Sequence, residues 1–129
     1  MTIELRMLAW SIVLGFVYIL TTAMVSAMRR GGRWAAGSRD ETVPPLAGVG
    51  GRLERAQRNF LETFPLFAAA VLAVAVLNRY NDTTALGAQL YFWGRLVYLP
   101  LYVSGIYLVR SLAWGVSLAG IVMLLVALL

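Results

Sequence analysis

Positions 54–65 read Glu54-Arg55-Ala56-Gln57-Arg58-Asn59-Phe60-Leu61-Glu62-Thr63-Phe64-Pro65, polar groups that run into a long apolar stretch. At about 100° per residue, Arg55, Asn59 and Glu62 fall within about 60° of one another on a helix, with Arg58 beside them. That face presents cation, amide and acid in order of depth. A second stripe follows at Tyr91, Arg95, Tyr98 and Tyr102, spaced 4, 7 and 11 residues from its first member, while Pro100 points away. Arg110, Ser111 and Trp114 form a third polar group. Such a set suits an anionic, multi-carboxylate small molecule. A guanidinium or phenol beside a bound thiol would also lower its pKa and stabilise the thiolate.

Each group has a plainer reading. A lone Glu–Arg pair serves as a bridge between helices. A row of tyrosines serves as packing or as an interfacial belt. Arg110, Ser111 and Trp114 alone would be an interface anchor. A graded stripe of three polar types, and a cation at the centre of a tyrosine row, need more than that, because ionisable groups inside a membrane are costly and mark function. Other chemistries fail on inventory. The chain has no Cys and no His, so thiolate ligands, a Cys nucleophile, zinc-hydrolase chemistry and a Ser-His-Asp triad are excluded, and no metal site is expected.

The elements that position these groups follow from composition. The 129 residues are 60% hydrophobic and 13% charged, with mean hydropathy +0.77. A soluble domain carries about 45–50% apolar and about 25% charged residues, and a short chain cannot hide such an excess. The expected class is all-α, an integral membrane four-helix bundle with antiparallel, up-down helices. The apolar runs place its spans at about 5–28, 53–77, 84–105 and 111–129, each near the ~20 residues that cross ~30 Å of hydrocarbon. The runs are continuous rather than alternating, which favours helices over a barrel. Residues 1–129 form one domain, with a loop at about 29–52 marked by Gly31-Gly32, Pro44-Pro45 and Gly50-Gly51.

The net charge of +5 rests on eleven basic residues, all Arg. Arg29, Arg30, Arg33, Arg39 and Arg52 lie in the long loop, Arg55 and Arg58 just beyond it, and Arg110 between the last two spans; Arg6 and Arg79 belong to the other side. The positive-inside rule then places the loop in the cytoplasm and both termini outside, with no nucleic-acid partner implied. The first span is too long for a signal peptide core and carries Glu4 beside Arg6, so it is expected to stay in the mature protein. Glu62 would sit roughly 12–15 Å below the cytoplasmic start of its helix. Pro65 would free a backbone carbonyl there.

The run from Glu54 to Phe67, with Arg-x-x-x-Asn-x-x-Glu and a nearby Pro, resembles the second-helix signature of the MAPEG superfamily, membrane-associated proteins of eicosanoid and glutathione metabolism. Four spans, a basic first loop and the chain length extend the resemblance over nearly the whole chain, most closely to the short bacterial branch, which implies a bacterial inner membrane. The resemblance implies a homotrimer with glutathione bound between neighbours in the cytoplasmic half. By position it assigns Arg55, Arg58, Asn59, Glu62, Arg95, Tyr98, Tyr102 and Trp114 to glutathione binding, and Arg110 and Ser111 to thiol activation. Thr63 and Trp114 depart from the tyrosines that some family branches carry there.

The implied activity is that of a membrane-embedded, glutathione-dependent transferase or peroxidase acting on a hydrophobic electrophile or lipid hydroperoxide. Two alternatives stand beside it. One is a non-catalytic lipid- or glutathione-binding protein of the same fold. The other is a small multidrug transporter, disfavoured because such proteins carry their acid in the first span, which here has none beyond Glu4. Four short helices are expected to be too few to enclose both stripes, so unmatched Arg95 or Glu62 would face a neighbour. Small residues at Gly15, Ala23, Ala27, Ala69, Ala73, Gly105 and Gly120 are expected to let backbones approach.

Overall fold

Where no water reaches the backbone, each N–H and C=O must be satisfied within the chain, and the apolar runs accordingly become helices. The computed structural model describes residues 1–40 and 43–129; Glu41 and Thr42, in the expected loop, lie outside the described residues. Four long helices and one short one follow in order: α1 (Ile3–Arg30), α2 (Gly32–Ala36), α3 (Gly48–Leu77), α4 (Asp82–Val103) and α5 (Tyr107–Leu128). No strand occurs among the described residues.

The helix ends are set by local chemistry. Thr2 caps α1 by accepting the Leu5 amide N–H on its hydroxyl. Asn81 and Thr84 form a reciprocal capping box at the start of α4. Asn78 ends α3 in the left-handed region (φ 54°) and Gly105 follows α4 with φ 81°. In both places two backbone N–H groups fold back onto the last turn, Asn78 and Arg79 onto Ala75 and Val74, Gly105 and Ile106 onto Tyr102 and Leu101.

The expected loop is partly helical. α3 begins at Gly48, ahead of position 53, and α5 at Tyr107, ahead of position 111. Hydropathy marks where a helix enters hydrocarbon, and the helix itself starts earlier. Gly50 and Gly51 are buried where the loop passes Leu46, and a Cβ on Gly50 would stand 3.2 Å from Val25 of α1. α3 continues through Pro65, which leaves the Leu61 carbonyl without its usual donor.

Contacts fix the directions. Thr84 at the start of α4 bonds to Glu4 at the start of α1, so these two helices are parallel. Arg29 at the end of α1 reaches the Ala47 carbonyl before α3, Arg52 of α3 donates to the Val103 carbonyl of α4, and Gly94 of α4 faces Ala113 of α5; these three pairs are antiparallel. The tightest contact joins α4 and α5. A Cβ on Gly120 would collide with the Gly87 carbonyl, and one on Gly94 would come 3.0 Å from the Ala113 carbonyl. Gly15 lies against Phe60 in the same way. Gly120 and Gly15, expected to serve contacts between subunits, thus close contacts within this one.

Three helices, α1, α3 and α5, are long and apolar enough to cross a membrane. α4 spans 22 residues, but Gln89, Arg95 and its tyrosines dilute it. Trp10, Phe16 and Leu20 of α1 and Leu112, Val122 and Val126 of α5 are exposed, a surface suited to lipid or to another subunit. Inside, one cluster gathers Leu8, Phe67, Val71, Val74, Tyr91 and Leu124, the other Leu14, Tyr18, Phe60, Phe92 and Tyr98.

Candidate functional site

The start of α3, the end of α4 and the start of α5 meet at the arginine-rich end. Tyr102 is the centre of that meeting. Arg55 donates its Nε–H to the Tyr102 hydroxyl (3.0 Å). The Arg110 guanidinium lies 4.3 Å from the centroid of the same ring, and the Tyr98 ring lies 5.5 Å away. Two cations on one phenol leave a local excess of positive charge, partly spread over the ring face.

Behind this group stands Arg95, fully buried, with 0% exposure. Its Nη1–H donates to Asn59 Oδ1 (2.8 Å), and its guanidinium lies 4.3 Å from the Tyr98 ring and 5.7 Å from Phe60. Its Nε and Nη2 find no hydrogen-bond partner. Among the described residues no carboxylate pairs with it: the one salt bridge there joins Arg30 and Glu54 at 3.5 Å. The expectation that Arg95 must face a neighbour is therefore corrected. Phe60, Tyr98 and Asn59 enclose it within one subunit.

A cleft of about 240 Å³ opens here, lined by Arg55, Asn59, Tyr98, Tyr102, Arg110, Ser111 and Trp114. The wall offers guanidiniums, an amide, phenols, a hydroxyl and an indole, and no carboxylate. The volume lies below the ~300–1,000 Å³ of a usual ligand pocket. Ser111 spends its hydroxyl proton on the Tyr107 carbonyl (2.9 Å).

The remaining sequence candidates lie elsewhere. Arg58 and Glu62 line a second cleft of about 790 Å³ along α1 and α2, together with Arg30, Trp34 and Gln57. Glu62 is exposed there. The face that a helical wheel gives as one stripe is thus divided, because the line along which α3 meets its neighbours runs through it. Arg55 and Asn59 fall on one side, Arg58 and Glu62 on the other. Among the described residues no group of three or more His, Cys, Asp and Glu comes together.

Further buried polar contacts brace the helices around and beyond the site. Tyr18, fully buried in α1, donates its hydroxyl to the Arg95 carbonyl (2.8 Å) and stacks on Phe60 at 4.7 Å. Thr63 and Tyr91 share a hydrogen bond of 3.0 Å. Glu4, 3% exposed, accepts from Thr84 at the far end of the molecule. A tyrosine in an apolar run and an acid near a terminus match many patterns and specify none.

Compared with known families, residues 7–129 match the model of the MAPEG family. No curated protein and no solved structure matches the chain.

Proposed function

From the premise that the chain belongs to the MAPEG family, we propose that it is a membrane-embedded glutathione-dependent transferase or peroxidase acting on a hydrophobic electrophile or lipid hydroperoxide. The observation that carries this reading is the cleft around Tyr102, in which cations, phenols and an amide from three helices converge without a single acid. Glutathione has two carboxylates and one thiol, and that wall answers each. Arg55 and Asn59 supply donors for carboxylates. Arg110, at the start of α5, stabilises the sulfur as thiolate.

The thiolate then attacks an electrophilic carbon, whose leaving group departs with the displaced electron pair. With a hydroperoxide it takes the terminal oxygen instead, and the alkoxide gains a proton. The resulting sulfenic form reacts with a second glutathione to give disulfide and water.

Assembly completes the site in this reading. Glu62 and Arg58 are exposed, and at the depth expected from the sequence an unmatched charge costs at least ~2.5–3.5 kcal/mol by insertion scales. A homotrimer turns them toward a neighbour, with residues of two subunits at each of three interfacial sites, and enlarges the small cleft. The arginine-rich end faces the cytoplasm of a bacterial cell and both termini lie outside, across the inner membrane.

A second reading, a binder of glutathione or lipid without catalysis, draws on the engaged Ser111 proton and on Trp114, whose indole supplies a single donor and no hydroxyl. The purified protein in mild detergent separates the two. We expect a trimeric mass, saturable glutathione binding, ultraviolet thiolate absorbance on binding, and turnover with chloro-dinitrobenzene. Arg110→Ala should remove most of the thiolate signal and slow conjugation more than it weakens binding. A charge-assisted contact is worth about 1.5–3 kcal/mol, or roughly 10- to 100-fold. Binding with neither thiolate nor turnover establishes the non-catalytic reading. No binding of glutathione sinks both glutathione readings.

A further inference from the structure

Among the described residues Arg95 is the one fully buried cation, and it does not line the cleft. Its geometry nevertheless reaches the cleft through two side chains that do. A guanidinium only donates. The Asn59 atom facing Arg95 at 2.8 Å is therefore the amide oxygen, and the Asn59 amino group is turned away from the interior. Asn59 is half-buried and lines the cleft, so its two N–H bonds are the groups left to face whatever enters. Tyr98 is the second relay. With Arg95 4.3 Å from its ring, the phenol is polarised and its O–H becomes a stronger donor toward the cleft. Meanwhile, among the described residues, Arg95 Nε and Nη2 carry no hydrogen bond and no carboxylate pairs with the guanidinium.

We infer that Arg95 is a positioning residue that never touches the ligand: it pins Asn59 as an outward-facing donor and holds an uncompensated positive charge behind the wall, so that the cleft selects a carboxylate-bearing anion. This rests on the glutathione reading above and changes the role of one residue in it, since Arg95 acts through Asn59 and Tyr98 rather than by contact. A neutral molecule of the same shape gains nothing from a buried charge. An anion gains in proportion to its own charge, because low surrounding polarity leaves the field little screened.

Asn59→Asp separates pinning from mere packing. It puts a carboxylate against Arg95, which pairs the buried cation, and replaces the cleft-facing donor with an acceptor. The full-length protein in mild detergent is measured by thermal unfolding and by titration with glutathione and with its diethyl ester, which lacks both negative charges. We expect Asn59→Asp to keep or raise the Tm while weakening glutathione about tenfold or more, with the diethyl ester, a net cation through its remaining ammonium, not weakened. Arg95→Met should weaken glutathione to a similar degree and Arg95→Lys should restore part of the loss.

A fall in Tm for Asn59→Asp overturns the pinning, and that arm needs no ligand. Equal loss of glutathione and diethyl ester overturns the selection of an anion. Wild-type protein that binds no glutathione overturns the reading of the cleft itself, and with it the ligand half of this inference.

Discussion

Two charges are buried along α4, Glu4 of α1 against its first turn and its own Arg95 past its middle, and the two burials differ. At the N-terminal end Glu4 receives the Thr84 hydroxyl at 2.7 Å and lies beside the first turns of α1 and α4, whose free N–H groups carry partial positive charge. Asn81 and Thr84 satisfy each other there, and no atom of this cluster is among the buried polar groups without partners. Further along the helix Arg95 has, among the described residues, one side-chain hydrogen bond, two aromatic faces and two nitrogens without a hydrogen bond. Helix packing changes in the same direction. The first half of α4 meets α5 backbone to backbone at Gly87 and Gly120, whereas at the other end Tyr102 and Arg110 hold the helices around an open cleft. A charge met by its own chain belongs to the scaffold. A charge left short of partners, beside a cavity, belongs to recognition.

The largest expected effect lies on the closed half. Gly120→Leu drives a side chain into the Gly87 carbonyl and the Tyr91 amide, neither of which can move without unwinding α4. Overpacking of this kind costs about 3 kcal/mol or more, and the variant should be recovered aggregated or with a sharply lowered Tm in detergent. Trp114→Leu, on the exposed rim of the open half, should shift stability by less than about 1 kcal/mol. Similar Tm values for the two variants would erase the distinction between the halves.

How far the sequence predicts this arrangement depends on the kind of signal. The long helices are legible because a run of apolar residues has few other fates, and the cluster of Arg55, Asn59, Tyr98, Tyr102, Arg110, Ser111 and Trp114 because spacing and family resemblance both mark those positions. The division of the α3 stripe is not legible. A wheel gives the direction of Arg58 and Glu62 to within tens of degrees, and the boundary between two clefts falls inside that interval. The short helix α2 lies in a Gly- and Arg-rich stretch that has no apolar period. Glycine roles were open in the same way, since a small residue permits close approach without naming the partner helix. For Gly120 and Gly15 the partner is α4 and Phe60 of the same chain.

A smaller effect sharpens the contrast of charges. Glu4→Gln keeps the shape and an oxygen for Thr84 but removes the negative charge from two helix N-termini. The expected loss is about 1–2 kcal/mol, the sum of a weakened charge-assisted hydrogen bond and lost dipole interactions. Thermal unfolding should report it, and glutathione affinity should be unchanged, because the cleft opens at the opposite end. A variant that unfolds normally but binds glutathione poorly would show that the two ends communicate, and the scaffold assignment of Glu4 would fail.

A small effect belongs to the residue that joins the halves. Tyr18 reaches from α1 to the Arg95 carbonyl with its hydroxyl, while its ring stacks on Phe60, which also lies under the Arg95 guanidinium. Tyr18→Phe keeps the ring, opens no cavity and leaves Arg95 its place in α4. Only the hydroxyl's hydrogen bond is lost, worth about 0.5–1.5 kcal/mol. If that bond sets where the α4 backbone sits at Arg95, the small loss in Tm comes with a glutathione affinity lowered by up to about tenfold, since the guanidinium then meets Asn59 less squarely. If it only adds to packing, the Tm falls by the same amount and the affinity holds. The ratio of the two losses, measured in one preparation, assigns Tyr18 either to the scaffold half of α4 or to the half that recognises the anion.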